Sequence, residues 1–376
     1  MTLRFDRIIS RLAFAALLSA AAAGLASCDG LIYDGEGDCD PYYKVKFVYD
    51  YNMKFADAFA SEVRDVTLYV VDESTGRVVF KKHESGDELS REGYLMDVDV
   101  PPGDYTLLAW AGQGHHTSFS VTDSDVHTEL RCSLGERETP KPGPWQTDGS
   151  HVSSLLDNLY HGRLEAQNFP KSQGTHVYEV PLVKNTNDLH IVLQHLSGEP
   201  VDKDAFTFTV TDENGLMDWD NTLLPDEPLT YFAHHTSAGI AGVEVEGEIT
   251  SPTPRSAAQA EPTIRPAPSR YLTQVSAAVA ELSLGRLVKR PEGEPKPYVR
   301  IYNDEQELVA SIPLVDYCLL IKGTKRRPDG TPMDDQEFLD RQDDYSMVFF
   351  LDKDDRWVKS QIIINSWHVV FQDIEL

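Results

Sequence analysis

Two acid-rich groups in the middle of the chain carry the side chains that bind calcium in proteins. They are residues 212–215 (Asp-Glu-Asn-Gly) and residues 218–221 (Asp-Trp-Asp-Asn). An EF-hand calcium loop needs glycine at its sixth position. Gly215 comes too early in the first group, and Leu223 fills that position when counted from the start of the second. Asn214 followed by glycine is instead typical of a hairpin turn, so the pattern favours a turn over a metal site.

Two pairs of adjacent histidines could supply ligands for zinc: His115 with His116, and His234 with His235. Neighbouring residues on a strand point to opposite faces of a sheet, so each pair offers at most one ligand to a shared site. We therefore interpret both pairs as histidines of surface loops. The chain is expected to bind no metal and no cofactor.

Adjacent carboxylates at residues 334–335 and 343–344 could provide the acid and base of a glycosidase. That chemistry needs a defined separation between two carboxyl groups, which a sequence does not supply. The sequence contains no Gly-x-Ser-x-Gly, His-Glu-x-x-His, P-loop or Gly-x-Gly-x-x-Gly motif. The basic run at residues 325–327 is typical of a solvated loop. We predict that the chain is not an enzyme and has no catalytic residues.

The cysteine with the clearest chemistry is Cys28, which ends the run Leu-Ala-Ser-Cys at residues 25–28. Three arginines lie within the first 11 residues, and the small and apolar residues 12–25 follow them. That stretch is shorter than the ~20 residues that span a bilayer as a helix, and it has the length of a signal-peptide core. The alternative is an ordinary secretory leader in which the cysteine occurs by chance.

The run that ends at Cys28 resembles the lipobox of bacterial lipoproteins. The resemblance implies cleavage before Cys28, a diacylglyceryl thioether on its sulfur and acylation of the new amino terminus, with fatty chains such as palmitate. Several chains hold a protein to a bilayer far better than one, at ~0.8 kcal/mol per buried methylene. Asp29 directly after the cysteine is an inner-membrane retention signal in some bacteria. Together with the acidic residues at 34, 36 and 38, it also resembles a signal for export to the cell surface.

Three cysteines remain if Cys28 is lipidated: Cys39, Cys132 and Cys318. An oxidising compartment favours one disulfide with one thiol left over. Cys318 lies in the apolar run 315–321 and is expected to be a buried, inert thiol. By elimination we predict a disulfide between Cys39 and Cys132.

Composition limits the partners of this chain. The net charge is −27 at pH 7, and the leader contains three arginines and one aspartate, so its removal makes the charge more negative. Phosphate backbones bind clustered cations, so nucleic acid is excluded as a partner. Acidic lipids would also repel this surface, which leaves the acyl chains as the membrane attachment. At 41% hydrophobic residues the chain can build cores.

The dominant hydrophobic period after residue 43 is two, which is typical of β-strands. Turn-forming residues separate the strands at short intervals, and this spacing predicts an all-β fold built from β-sandwiches. The predicted strands are residues 43–49, 66–71, 78–80, 105–111, 177–183, 189–193, 206–210, 277–284, 299–302, 309–321, 347–351, 362–365 and 368–371. Helix is predicted only at residues 55–63 and 153–160.

About 350 mature residues exceed the size of one ordinary core, so we predict two domains. Periodicity is lost at residues 162–175, which indicates the boundary. The predicted organisation is a signal peptide (1–27), a lipid-linked flexible tether (28–42), an N-terminal sandwich (43–165) and a C-terminal sandwich (172–376). The second sandwich includes a proline-rich loop at 251–270. The chain stops at Leu376, just after its last predicted strand.

Several collinear stretches make the chain similar to the fimbrillin-associated anchor lipoproteins of type V pili. Each stretch is weakly specific, but their order and the lipobox together are more so. The stretches are residues 47–53, 57–59, 66–72, 101–107, 220–226, 312–317 and 362–367. The resemblance covers nearly the whole mature chain.

The resemblance implies two transthyretin-like β-sandwiches attached to the outer membrane through Cys28 and facing outward. It also implies a role: holding the base of a fimbria and limiting its length, with pilin (fimbrillin) subunits as partners. Pilins of this type join by adding a strand of one subunit to the sheet of another, in which backbone hydrogen bonds supply affinity. The alternative function is a surface lipoprotein that binds glycan or host protein. Trp145, Trp219 or Trp357 could then stack on sugars, although core or boundary packing is the simpler interpretation of each.

Overall fold

The computed structural model describes residues 41–113, 118–139, 142–145, 149–246, 270–364 and 367–370. The predicted signal peptide, Cys28, Cys39 and all but the last residue of the predicted proline-rich loop 251–270 lie outside the described residues, as do His115 and His116. Within the described part of the chain, no helix is long and apolar enough to cross a membrane.

The chain is an all-β protein of sandwich type with few short helices, as predicted. The first ten strands are β1 (Pro41–Val48), β2 (Asp65–Asp72), β3 (Val78–Ser85), β4 (Met96–Val98), β5 (Gly103–Ala111), β6 (Phe119–Val121), β7 (Cys132–Leu134), β8 (His151–Val152), β9 (Tyr160–Phe169) and β10 (Gly174–Lys184). The others are β11 (Asn187–His195), β12 (Thr207–Asp212), β13 (Leu216–Met217), β14 (Leu229–Phe232), β15 (His235–Glu246), β16 (Arg270–Leu284), β17 (Tyr298–Tyr302), β18 (Leu308–Pro313), β19 (Asp344–Leu351), β20 (Trp357–Ile364) and β21 (Trp367–Val370). The α-helices are α1 (Phe59–Glu62), α2 (Leu314–Leu319) and α3 (Asp335–Arg341).

The first sheet has seven strands in the order β3-β2-β5-β9-β10-β1-β4. β1 alternates buried and half-buried side chains, and its buried face packs into a core with residues such as Val45, Phe47 and Leu107. β2 and β5 are instead buried on both faces. Their second face, with Tyr69 and Trp110, joins a larger core shared with the second half of the chain. Burial on both faces explains why these strands read as nearly continuous apolar runs.

The second half of the chain forms a six-stranded sheet, β15-β16-β11-β19-β20-β21, and a five-stranded sheet, β18-β17-β12-β14-β8. Side chains from both sheets meet in the larger core. The antiparallel pairing of β15 with β16 runs from His235↔Glu281 to Glu246↔Arg270. A small fourth sheet has the order β13-β7-β6. It joins β6 and β7, which precede β10 in the sequence, to β13, which follows β10.

Sheet membership corrects the boundary at residues 162–175. β9 pairs with β5, and β10 pairs with β1 and β9, so residues 174–184 belong to the first sheet and not to the second sandwich. In the other direction, β7 pairs with β13 and β8 pairs with β14, so these two strands belong with the second half. Strand pairing therefore exchanges segments across the predicted boundary, because hydrogen-bonding partners far apart in sequence decide sheet membership. The division into two domains itself stays a prediction.

The helix predictions are largely wrong. Residues 55–63 contain only the four-residue α1. Residues 153–159 form no helix, and residue 160 begins β9. The predicted strand 309–321 ends at Pro313, and α2 follows it. α3 was missed although it has a sequence signal: the Asp334 carboxylate accepts a hydrogen bond from the backbone N–H of Glu337 at 2.7 Å. That Asp-x-x-Glu pattern is typical of a helix start.

Candidate interaction cleft

The residues first considered for metal or acid–base chemistry have structural roles. Asp212 is buried and pairs with Arg290 at 2.5 Å, and burial raises the pKa of Asp212 to about 6. The Tyr231 hydroxyl donates to the Asn214 side-chain oxygen at 2.6 Å. Residues 214–215 connect β12 to β13, which lie in different sheets, so the predicted hairpin turn there is wrong. No cluster of metal-ligating side chains occurs among the described residues.

The two aspartate pairs are divided among separate partners. Asp335 pairs with Lys322, and Asp343 with Lys184 at 2.8 Å. His234 is half-buried and precedes β15, whereas His235 is exposed and begins that strand, so His235 is not the loop residue that was predicted.

Cys318 is a fully buried thiol, so the prediction of its burial is confirmed, and Cys132 is fully buried as well. Burial raises the pKa of each thiol well above its usual range. Cys28 and Cys39 lie outside the described residues, so lipidation of Cys28 and the Cys39–Cys132 disulfide stay predictions.

The three tryptophans considered for sugar stacking are packed against protein. Trp145 meets the rings of Phe232 and Tyr302 edge-on, with centroids 5.9 and 5.6 Å away. Trp219 and Trp357 are half-buried. Packing, the simpler of the two interpretations, describes them.

A cleft of about 920 Å³ lies between the first sheet and the second half of the chain. One wall comes from β9 and β10, and the other from residues 220–225 and 286–295. The walls are mainly apolar, with half-buried Leu164 and Val183 on one side and half-buried Leu223 and Leu224 on the other. Residues 220–225 belong to a stretch that supported the resemblance to anchor lipoproteins.

The first-sheet wall of the cleft is a fork between two strands. β10 pairs with β9 only at Leu182↔Gly162, Val183↔His161 and Lys184↔Tyr160. Beyond these pairs β9 follows β5, and β10 follows β1. At the base of the fork the strands pack closely, because a Cβ added to Gly162 would lie 2.6 Å from the Leu182 side chain.

Asn185 and Asn221 join the two walls through their side chains. Each Nδ2 donates to the other residue's Oδ1, at 2.7 and 3.1 Å, and both residues are buried. The backbone carbonyl of Asn221 also accepts from Arg286, whose guanidinium binds both carboxylate oxygens of Asp340 at 2.9 and 3.0 Å. Asn221 has a φ of +71°, a conformation that asparagine tolerates better than most residues.

Trp219 forms a second connection. The His161 Nε2–H donates to the backbone carbonyl of Trp219 at 3.0 Å, and the Arg163 guanidinium lies 5.0 Å from the Trp219 ring centroid. Burial lowers the pKa of His161 to about 4, while its hydrogen bond to the carbonyl partly opposes that shift. The imidazole is therefore neutral at physiological pH and carries its proton on Nε2.

Arg341 of α3 forms the third connection, with the segment that follows β1. Its guanidinium lies 3.9 Å from the Tyr51 ring centroid and 4.6 Å from that of Phe55. It donates to the carbonyl of Asp50 at 3.1 Å and to the Glu337 carboxylate at 2.9 Å. Cation–π contacts and charge-assisted hydrogen bonds together orient this side chain.

Residues 47–53 and 220–226 are recognisable in the sequence as structural motifs. Nothing in the sequence places both of them at the junction between the first sheet and the second half of the chain. Their partners are Asn185, Arg286 and Arg341, and none of these three carries a recognisable motif. Asn185 lies 36 residues from Asn221, and Arg341 lies 291 residues from Asp50. Only an alignment of homologues or a structure could bring such residues together.

A family model described as fimbrillin-A associated anchor proteins Mfa1 and Mfa2 matches residues 36–373. Among curated proteins, no relative matches the chain. A crystal structure of a candidate adhesin from Bacteroides thetaiotaomicron VPI-5482 is 31% identical, with a TM-score of 0.70 over 89% of this chain and 99% of that one. A second structure from the same organism, of candidate polysaccharide-binding proteins, is 26% identical, with a TM-score of 0.65 over 89% and 99%.

The fimbrial anchor protein Mfa2 from Porphyromonas gingivalis shares the fold at 14% identity, with a TM-score of 0.53 over 88% of this chain and 99% of that one. The family match spans nearly the whole length on which the predicted resemblance rested. The chain therefore belongs to the family of fimbrillin-A associated anchor proteins.

Proposed function

We propose that this protein is an outer-membrane lipoprotein that anchors the base of a fimbria and limits its length. It does so by strand complementation with a pilin subunit. The observation that carries the proposal is the family match over residues 36–373, which begins shortly after the lipobox-like run ending at Cys28. A chain fixed to a bilayer at one end and joined to a fibre at the other is what an anchor requires.

The coarse role follows from the family and the adhesin-like neighbour: a fimbrial accessory or adhesin protein of the cell envelope, in a family of structural proteins rather than enzymes. The finer role adds a membrane and a partner. Acyl chains on Cys28 would hold the protein in the outer membrane, facing outward, since a surface of this charge gains nothing from acidic lipids. The partner would be a pilin, whose strand would extend one of the open sheet edges.

Deletion of the gene tests the proposal. We expect fimbriae to be released into the medium, and the fibres that remain to be longer than in the parent strain, as measured by electron microscopy and by pilin content of the culture supernatant. Unchanged attachment together with unchanged fibre length would contradict the proposal.

Cys28→Ser separates anchoring from folding. We expect the variant to fold and to lose its membrane attachment, so that fimbriae detach as they do after deletion. Cys39→Ser is the matched control, since it also removes a thiol near the amino terminus but leaves the lipobox intact. Membrane fractionation measures both variants, and a membrane-bound Cys28→Ser protein would refute lipid anchoring.

The alternative function is a surface lipoprotein that binds glycan or host protein. The 26%-identical candidate polysaccharide-binding structure favours this alternative. A glycan array with the mature protein distinguishes the two, because an anchor needs no sugar ligand. Reproducible binding to one glycan class, with fimbriae unaffected by deletion, would favour the alternative.

A further inference from the structure

We propose that the outward face of the five-stranded sheet binds an acidic sugar, such as a hexuronate unit of a glycan, through the guanidinium of Arg300. This activity goes beyond the anchor role and is compatible with it, since Arg300 does not line the cleft. Three features carry the inference: an arginine without a carboxylate partner, neighbours that orient its guanidinium, and hydroxyl groups beside it.

The strand register places Arg300 on the outward face. Arg300 lies in the middle of β17, an inner strand of the five-stranded sheet. Its neighbours in sequence, Val299 and Ile301, are buried in the larger core. Successive side chains of a strand alternate, so Arg300 points away from that core. Directly paired residues share a face, so Thr209 on β12 and Ser311 on β18 lie beside it.

Arg300 is the exception among the half-buried arginines of the described residues, because no carboxylate neutralises it. The half-buried arginines that do form an ion pair with a carboxylate are Arg137, Arg163, Arg286, Arg290, Arg327 and Arg341. The whole chain has 61 acidic and 34 basic residues, so partners are plentiful. A half-buried guanidinium without a counterion is well suited to a carboxylate supplied by a ligand.

Two neighbours orient the guanidinium. It lies 5.1 Å from the ring centroid of Tyr298, and its Nη1–H donates to the hydroxyl oxygen of Thr211 at 3.3 Å. Within the part of the chain that the structure describes, this is the one hydrogen bond of a group that has five N–H donors. The remaining donors can bind both oxygens of a carboxylate, in the forked geometry that arginine favours.

The side chains around Arg300 favour a sugar as the carrier of the carboxylate. Thr207, Thr211 and Ser311 are half-buried residues of the same face, and each has a hydroxyl group. Hydroxyl groups both donate and accept, as the hydroxyls of a sugar do. No aspartate or glutamate occurs among the described strand residues on this face of β12, β17 and β18. No carboxylate of these strands therefore competes for Arg300.

The far side of the same face is covered. Trp145 packs edge-on against the rings of Phe232 and Tyr302, which lie on this face. Thr209, between Phe232 and Arg300, is 1% exposed. The accessible part of the face is therefore the side toward β18, and this limited area suits one acidic unit within a glycan.

The net charge of the chain restricts the kind of glycan. A charge of −27 repels a polyanion at long range. Salt screens such repulsion beyond about 8 Å at physiological ionic strength, so a single carboxylate is governed by the groups that it contacts. We therefore expect a glycan with isolated acidic units and not a densely charged polymer.

A matched pair of sugars tests the inference. The acidic probe is an oligosaccharide with one glucuronate unit, and the control is its carboxyl-reduced form, in which the carboxylate has become a hydroxymethyl group. Isothermal titration calorimetry with the full mature chain measures both. We expect the acidic probe to bind about tenfold or more tightly than the control. A parent protein that binds neither probe, or both equally, overturns the site. A peptide with a single glutamate that binds as tightly as the acidic probe overturns the sugar as its ligand.

Three variants identify the residue responsible. Arg300→Gln should lower the affinity for the acidic probe about tenfold or more, with the thermal unfolding midpoint unchanged because no ion pair is lost. Arg300→Lys keeps the charge but not the fork, so we expect an intermediate affinity. Arg326→Gln is the matched control, since Arg326 is exposed and no ion pair includes it in the described part of the chain, and it should bind like the parent. An Arg300→Gln protein that binds the acidic probe normally, or an Arg326→Gln protein that loses binding equally, overturns the role of Arg300. Neither result bears on the anchor function, which is measured separately by the attachment of fimbriae.

Discussion

Asn185 and Asn221 exchange two side-chain hydrogen bonds, at 2.7 and 3.1 Å, across the junction of the first sheet with the second half of the chain. Asn185 follows β10 directly, and Asn221 lies in a turn that lines the cleft. Each amide satisfies the other in a buried place, where an unpaired amide is costly. The pair therefore works as a clamp between two parts of the chain that share no strand pairing at this point.

The two single substitutions in the clamp should not be additive in their effects on the free energy of unfolding. Asn185→Ala leaves the Asn221 amide buried without its partner, and we expect a loss of about 1–3 kcal/mol in the free energy of unfolding. The double variant with Asn221→Ala should cost less than the sum of the two single changes, as measured by urea denaturation. Simple additivity would mean that the two amides are not coupled.

The positive φ of Asn221 needs its own control. Alanine tolerates this conformation poorly, so Asn221→Ala both strains the backbone and removes an amide. Asn221→Gly keeps the backbone conformation and removes only the amide. We expect the glycine variant to be the more stable of the two by about 1 kcal/mol, again from urea denaturation. Equal stability would show that the turn relaxes.

Arg341→Ala should destabilise the junction by about 3 kcal/mol, because it removes the stacking on Tyr51 and leaves the buried Glu337 with fewer partners. Arg341→Lys should recover only part of this loss, since an ammonium cannot stack and donate in the same geometry. Thermal and urea unfolding measure both variants.

Arg91→Ala is the control for Arg341, since Arg91 and Glu88 form an exposed pair at 3.5 Å. We expect a change near zero there. A loss at Arg341 no larger than at Arg91 would contradict its role as a connection.

Stability should fall as the pH drops from about 6.5 to about 4, in part through His161. Burial lowers the pKa of His161 to about 4 in the folded state, below the ~6.5 of an exposed histidine. Between these values the unfolded chain binds a proton that the folded chain does not, so unfolding becomes easier as pH falls. The pKa shift of His161 corresponds to at most about 3 kcal/mol in the free energy of unfolding.

Asp212 acts in the opposite direction over part of the same range. The pKa of Asp212 is raised to about 6 in the folded state. The stability that this shift contributes is fully present below about pH 4, the usual aspartate pKa, and is lost as the pH rises to about 6. His161→Gln isolates the histidine, since glutamine can still donate to the Trp219 carbonyl. We expect the variant to lose less stability than the parent between pH 7 and pH 5. An identical pH dependence would exclude His161 as its source.

The buried thiols give a test of the disulfide prediction. Cys318 should react with iodoacetamide only after unfolding, because burial both hinders access and disfavours the thiolate. Mass mapping of peptides labelled under denaturing conditions, with and without a reductant, then decides the pairing. We expect Cys39 and Cys132 to be labelled only after reduction and Cys318 to be labelled without it. A bridge between Cys132 and Cys318 would refute the prediction.

Local patterns in the sequence were sufficient for the fold class. The alternation in residues 43–49 predicted β1, because a strand with one buried face must alternate. The apolar run around Cys318 predicted its burial, although the run was assigned to a strand where Pro313 ends β18 and α2 begins. Short runs of apolar residues suit a buried helix as well as a strand, so periodicity alone does not separate them.

The lipobox-like run at Cys28, the charge and the order of the family stretches were all properties of the sequence by itself. They were enough to identify the family. What only the tertiary structure decided is where these stretches meet. The parting of β9 from β10, the exchange of segments between the halves, and the pairing of Asn185 with Asn221 depend on contacts between residues far apart in the chain. Such contacts leave no local period or spacing in one sequence, because their geometry is set by the packing of whole sheets.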